Sequence, residues 1–236
     1  MNEPVDLTFT GPLALVTLNN PPLNIFDLAM RDELIGAFTA IDDVPDVRAM
    51  VLRSAGRHFS AGADLSEFGS APSIFEARRI RWDRDPWGLL WDLRVPTVAA
   101  ITGTALGSGL EMSLLCDLRI AAPDAVLGLP ETKLGMLPAA GGTQSLTRAI
   151  GPGAALPVVA LAEPMPGTEA QRRGIVHETA DDPGSRAVEL AHELSLLDPA
   201  VIRAARRALR AAGDLALDDG LRTEGRLARS VRGQRA

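Results

Sequence analysis

Tyrosine is absent from this 236-residue chain, cysteine occurs once and histidine three times. Lysine occurs only at Lys133, so almost all of the positive charge is arginine. Each shortage removes a class of chemistry. The single Cys116 rules out a disulfide framework within the chain, and Cys and His are too few for a zinc-finger site. His58, His177 and His192 lie far apart in the sequence, so a histidine-centred metal site has little support and no metal is expected. Without tyrosine there is no phenolic acid, and Schiff-base chemistry would rest on Lys133 alone. The deficit in lysine and tyrosine reads as a genome-wide codon bias rather than as a functional signal.

Long hydrophobic runs are missing as well. No stretch approaches the roughly 18 apolar residues of a membrane span. The opening MNEPVDLTF is acidic and lacks a signal-peptide apolar core, so a cytoplasmic location and no membrane partner are expected. The 30 acidic and 24 basic residues leave a net charge of −6 and a pI near 5.1. That balance argues against a broad nucleic-acid-binding face. What remains is ordinary globular composition, 46% hydrophobic and 23% charged. The length suits one large domain, or one domain with a small appendage.

Short apolar runs alternate with helical patterns through the first half. Leu13 to Leu18 reads as a strand between Gly11-Pro12 and Asn19-Asn20-Pro21-Pro22. Asp27 suits a helix N-cap ahead of Leu34, Phe38 and Ile41, which recur on one face. Ala49 to Leu52 and Thr97 to Ile101 are further strands, each running into a glycine-containing turn. Leu118 to Ala121 and Val126 to Leu129 complete the series. Recurrent strand, glycine turn and helix specify an α/β layered domain, and no exact repeat compels a regular solenoid. Beyond about Pro183 the spacing of Ala187, Leu190, Ala191 and Leu194, then of Val201 through Leu209, is helical. The expected organisation is a core over residues 1–182 and a helical C-terminal region over 183–236. Arg203, Arg206, Arg207 and Arg210 are expected on a solvated or subunit-facing side of that region.

Three segments carry chemistry. Phe59-Ser60-Ala61-Gly62-Ala63-Asp64-Leu65 places small residues after a strand, leaving backbone N–H groups open to a developing negative oxygen. The plainer alternative is a tight turn ending in an Asp N-cap. Gly103-Thr104-Ala105-Leu106-Gly107-Ser108-Gly109-Leu110-Glu111 opens a helix whose N-terminus suits an oxyanion or a phosphate. No Gly-Lys-Ser/Thr follows, so it is not a P-loop, and the glycine spacing does not fit a dinucleotide fingerprint. Glu111 shares a helical face with Leu114 and Leu115. Burial there would raise its pKa against the pull of the helix N-terminus; structural pairing with an arginine is the alternative. In Leu127-Gly128-Leu129-Pro130-Glu131 a strand ends and Glu131 follows directly. Such positions carry functional groups in α/β sheets, although a lone glutamate there also suits the surface.

In order and spacing, FSAGADL, GTALGSGLEMSLLCDLRIA and LGLPETKLGMLPAAGGTQSL resemble the crotonase family of enoyl-CoA hydratases and isomerases. NNPPLNIFD and EAQRRGIVHE extend the resemblance over residues 5 to 210. It implies a crotonase-like spiral of ββα units with a C-terminal helical oligomerisation region, packed as a homotrimer or a dimer of trimers. The partner would be an acyl-CoA thioester, with coenzyme A entering as part of the substrate and no permanently bound cofactor. The family's oxyanion hole maps onto the backbone N–H groups of Ala63 and Ser108, and its carboxylate pair onto Glu111 and Glu131. Its substrate- and CoA-binding positions map onto Ala61, Asp64, Leu65, Gly107 and Pro130. On the family pattern Glu111 orients and activates water and Glu131 protonates C2, the machinery of an enoyl-CoA hydratase, a hydro-lyase. The alternatives are a Δ3,Δ2-enoyl-CoA isomerase and a catalytically silent acyl-CoA-binding subunit.

Three features depart from the pattern. Ser108 takes the centre of the family's glycine triplet, Leu161-Ala162 replaces a Thr-Gly, and Pro157 is expected to interrupt a helix. The stretch from Ser66 to Trp91 is expected to line the substrate, though its Phe68, Phe75, Trp82, Trp87 and Trp91 suit a core equally. Val201, Ile202, Ala205, Leu209, Leu215, Leu217, Leu221 and Leu227 are more apolar residues than a thin helical tail buries against itself, which points to subunit packing.

Overall fold

The computed structural model describes residues 3–65 and 83–233; Phe68, Phe75 and Trp82 lie outside them. β1 (Val5–Thr10) and β2 (Leu13–Leu18) form an antiparallel hairpin. β3 (Ala49–Ser54), β4 (Thr97–Ile101), β6 (Leu118–Ala121) and β9 (Glu178–Thr179) extend it in parallel, in the order β1-β2-β3-β4-β6-β9. A second sheet holds β5 (Thr104–Leu106), β7 (Val126–Gly128) and β8 (Met165–Pro166).

Side chains along β3 and β4 alternate between two cores. Met50, Leu52, Ala99 and Ile101 join Leu34, Phe38 and Ile41 of α1 (Leu28–Asp43) in the larger one. Ala49, Val51, Val98 and Ala100 face the other way, against Ala187 and Ala191 of α7 (Pro183–Ser195). Parallel strands buried on both faces need unbroken apolar runs, so these segments show no alternation with polar residues. At the end of β4 the chain turns through Gly103 into the second sheet. That corner requires glycine: φ is 56°, and an added Cβ would lie 2.1 Å from Arg57 O. α3 (Ser108–Leu115) follows β5, and a single 3-10 turn (Glu131–Leu134) follows β7. This stepping between two sheets, with helical segments after it, is the expected spiral.

The N-cap at Asp27 is as expected, its side chain accepting from Met30 N at 2.8 Å. β1 was not legible as a strand, although Val5, Leu7 and Phe9 alternate with polar residues. β3 runs on to Ser54, and β7 stops at Gly128. Pro157 does not interrupt its helix: α5 runs unbroken over Pro152–Leu161. Pro157 and Gly153 are both exposed, so losing the N–H that would bond the Gly153 carbonyl falls on the solvent side of the helix, where the cost is smaller than in a buried one.

The arginines of α8 (Pro199–Ala212) divide. Arg203 and Arg207 are exposed as expected, but Arg206 and Arg210 turn inward. Arg206 Nε donates to Asp117 Oδ1 at 3.0 Å, and its Nη1 to Leu93 O at 2.7 Å. Arg210 donates to Trp91 O and lies 4.0 Å over the Trp91 ring. Asp117 also accepts from Thr97 N and Oγ1, at 2.9 and 3.1 Å. Leu93 and Trp91 close α2 (Pro86–Asp92), whose last carbonyls have no partner inside the helix. Arginines one helical turn apart meet that need and anchor α8, while α9 (Leu217–Gly233) packs on α8.

With the Arg206 side chain only 10% exposed, Asp117→Ala leaves a buried charge without its counterion. The expected loss of stability in urea denaturation is on the order of 3 kcal/mol. Asp117→Ala/Arg206→Met should recover at least half of it. A single variant within about 1 kcal/mol of the parent would show the clamp contributes little.

Candidate active site

The loop after β3 is stitched to the loop before α1. Asn24, buried and at φ 48°, donates from Nδ2 to His58 O at 2.8 Å and to Phe59 O at 3.2 Å. Ser60 Oγ returns a bond to Asn24 O at 2.7 Å and accepts Gly62 N at 3.1 Å. Ala61 N donates to Leu23 O and Phe26 N to Gly62 O, both at 2.9 Å. The backbone at Ala63 is thereby fixed from both sides.

The same loop is tied to the start of α3. Leu106 N donates to Ser60 O at 3.0 Å. Ser60 O also lies 2.7 Å from where a Cβ at Gly109 would sit, an approach only glycine permits. An ideal Cβ on Gly62 would stand 3.8 Å from Ser108 N. The amides of Ala63 and Ser108 therefore belong to adjoining segments. Neither donates to an acceptor among the described residues, and Ser108 opens a helix whose first N–H groups have no internal partner. Two such amides suit an oxyanion.

Glu111 and Glu131 occupy opposite environments. Glu111 is 1% exposed, in the first turn of α3. Its Oε1 accepts from the backbone N–H of Ala140 at 2.8 Å and of Gly142 at 2.9 Å. Glu131, half-buried, starts the 3-10 turn behind Pro130, and its Oε1 packs against Gly107, 2.9 Å from an ideal Cβ there. Its Oε2 is buried with no hydrogen-bond partner among the described residues. Burial pushes the Glu131 carboxyl up to about 7, and the charge of Glu111 adds to the rise, against a bond from its own backbone N–H.

The structure thus brings Ala63, Gly107, Ser108, Glu111, Pro130 and Glu131 into one neighbourhood. Ala61 and Asp64 flank Ala63, partly exposed, and Leu65 lies open to solvent. Trp87 belongs to the core, edge-on to Phe26 with ring centroids 5.4 Å apart. Trp91 lies under Arg210. Sequence reasoning did not single out Asn24, Ser60, Ala140 or Gly142 as parts of the site. The signal available was small: a polar residue inside the apolar LNIF stretch, and a Gly-Gly pair ahead of a helix.

A model of the enoyl-CoA hydratase/isomerase family matches residues 8–235. The chain belongs to the enoyl-CoA hydratase/isomerase family. A probable enoyl-CoA hydratase of Mycobacterium tuberculosis is 37% identical over 224 residues, covering 93% of this chain and 86% of the relative. The 2,3-dehydroadipyl-CoA hydratase of Escherichia coli is 35% identical over 219 residues, 90% of this chain and 84% of its own length. The crystal structure of an enoyl-CoA hydratase from Bacillus anthracis superimposes with a TM-score of 0.91 at 33% identity, over 98% of this chain and 91% of that one. The fold is the crotonase fold.

The raised Glu131 carboxyl has a consequence for stability. Its proton is held more tightly in the folded chain than in the unfolded one, where an ordinary value near 4.5 applies. Its contribution is therefore complete below about pH 4.5 and is lost as pH rises through about 7. The full shift is worth about 3 kcal/mol, which solvent screening of a half-exposed group reduces to about 1–2 kcal/mol. Glu131→Gln, neutral throughout, should match the parent near pH 4.5 and exceed it by that amount at pH 8 in urea denaturation. Equal stability at both pH values would mean an unstrained Glu131.

Proposed function

We propose that the protein is an enoyl-CoA hydratase, adding water across the double bond of a trans-2-enoyl-CoA thioester, with coenzyme A entering as part of the substrate. The observation that carries this is the unequal glutamate pair beside two unpaired amides. Two backbone N–H groups hold Glu111 Oε1 in place, while burial pushes the Glu131 carboxyl up to about 7, so it keeps a proton in a substantial fraction of molecules at neutral pH. A base and an acid are thus available at once.

In this mechanism Glu111 takes a proton from water as the oxygen attacks C3. Negative charge moves onto the thioester oxygen, where the Ala63 and Ser108 amides receive it. Glu131 gives its proton to C2, completing syn addition, and transfer of one proton from Glu111 to Glu131 resets the site. The side chain of Ser108 has no part in this, since its backbone N–H is the donor. The exposed Leu209, Leu215, Leu217 and Leu221 of the C-terminal helices and the turn between them support assembly through that region, as a homotrimer or a dimer of trimers.

Four measurements test the reading. Glu111→Gln and Glu131→Gln should each lower turnover about 10²–10⁴-fold while CoA affinity stays near that of the parent. Loss of conjugated-thioester absorbance from a 2-enoyl-CoA marks hydration, and its appearance from a 3-enoyl-CoA would instead mark an isomerase. For the parent, kcat/KM should fall as pH rises through about 7, where Glu131 loses its proton. Full activity held to pH 9 would remove Glu131 as the acid. Ser108→Ala and Ser108→Gly should both turn over within about threefold of the parent, since the amide donor survives.

A further inference from the structure

Helix α4 (Gly142–Ile150) begins without a cap of its own. The residue ahead of it, Gly141, sits at φ 104° and has no side chain to offer. The oxygen that caps it comes from another helix: Glu111 Oε1, held by the N–H of Gly142 and of Ala140. A helix N-terminus carries partial positive charge and unpaired donors, so a carboxylate placed there is held firmly. Room for it exists only because residue 142 is glycine. An added Cβ would lie 2.8 Å from Glu111 Oε1, 2.9 Å from Glu111 Cγ and 3.0 Å from Pro138 Cβ. Two of those three atoms belong to Glu111, so a methyl group at 142 acts first on the position of that carboxylate.

The placement also links the two glutamates. One loop runs from Glu131, at the start of the 3-10 turn, through Pro138 and Ala140 to Gly142. It carries one carboxylate at its beginning and the donors for the other at its end. Its shape therefore sets where the two carboxylates stand relative to each other.

We propose that Gly142, with the amide of Ala140, is a positioning residue for the reaction: it seats the Glu111 carboxylate against the N-terminus of α4 and so sets its geometry toward water. This rests on the assignment of Glu111 as the group that activates water. Gly142→Ala is expected to lower kcat about 10²-fold or more, a loss typical of a misplaced reacting group, with KM within about threefold of the parent. Because the effect acts through Glu111, Gly142→Ala should add no more than about a twofold loss on a Glu111→Gln background.

Gly142→Ala with turnover within about threefold of the parent, while Glu111→Gln is inactive, would overturn the seat and leave the hydratase reading standing. An equal proportional loss on both backgrounds would also overturn it, as general structural damage. An active Glu111→Gln would instead remove the assignment on which the proposal rests. Amide hydrogen exchange gives a test that leaves Gly142 in place. Protection at Ala140 and Gly142 should fall at least about tenfold in Glu111→Ala relative to the parent, and unchanged protection would overturn the proposal.

Discussion

A carboxylate that is 1% exposed has to be met by donors, and Glu111 is met by the backbone at the head of α4. Desolvating a charge without such partners is among the costliest events in folding. This one contact therefore constrains much of the site. It fixes α3 against α4, orders the loop that follows Glu131, and requires glycine at 142. Two short helices point their N-termini toward the same region, one offering the Ser108 amide and the other holding Glu111.

Around that contact the site is built from backbone and small residues. Asn24 and Ser60 use buried side chains to hold a loop whose backbone, at Ala63, offers the other donor. Gly62, Gly107, Gly109 and Gly142 each stand where a side chain would strike a backbone or carboxylate atom. Preorganised amides of this kind need no rearrangement as charge develops, which suits them to an enolate oxygen. The Oε2 of Glu131, like the Ala63 and Ser108 amides, has no hydrogen-bond partner among the described residues. Its destabilised anion is the feature an acid catalyst needs at neutral pH.

The larger framework explains why the site stays in register. β3 and β4 are packed on both faces, so the strands leading to the Ala63 loop and to α3 have apolar neighbours above and below. α7, the first helix of the C-terminal region, belongs to this packing. Asp117, two residues beyond the end of α3, ties the far end of that helix to Thr97 and to α8. Arg206 and Arg210 show how a helix rich in arginine can point half its charge inward. The carbonyls at the end of α2 and a single aspartate give them partners there.

Local pattern was enough for much of this molecule. Apolar runs and glycine turns marked β2, β4 and β6 at their observed bounds, because burial of a parallel strand is written in consecutive residues. Asp27 announced its helix, since an N-cap acts within one turn. Motif order and the separation of Glu111 from Glu131 carried the family. Whether Glu111 paired with an arginine, whether Glu131 was a surface carboxylate, and which of four arginines faced inward were left open or misjudged from the chain alone. Those outcomes depend on groups distant in sequence: Ala140 and Gly142 for Glu111, Gly107 for Glu131, Asp117 and Leu93 for Arg206. A residue's type and immediate neighbours determine its propensity and its periodicity. Its ionisation and its partner are decided by what the fold brings within about 3 Å of it.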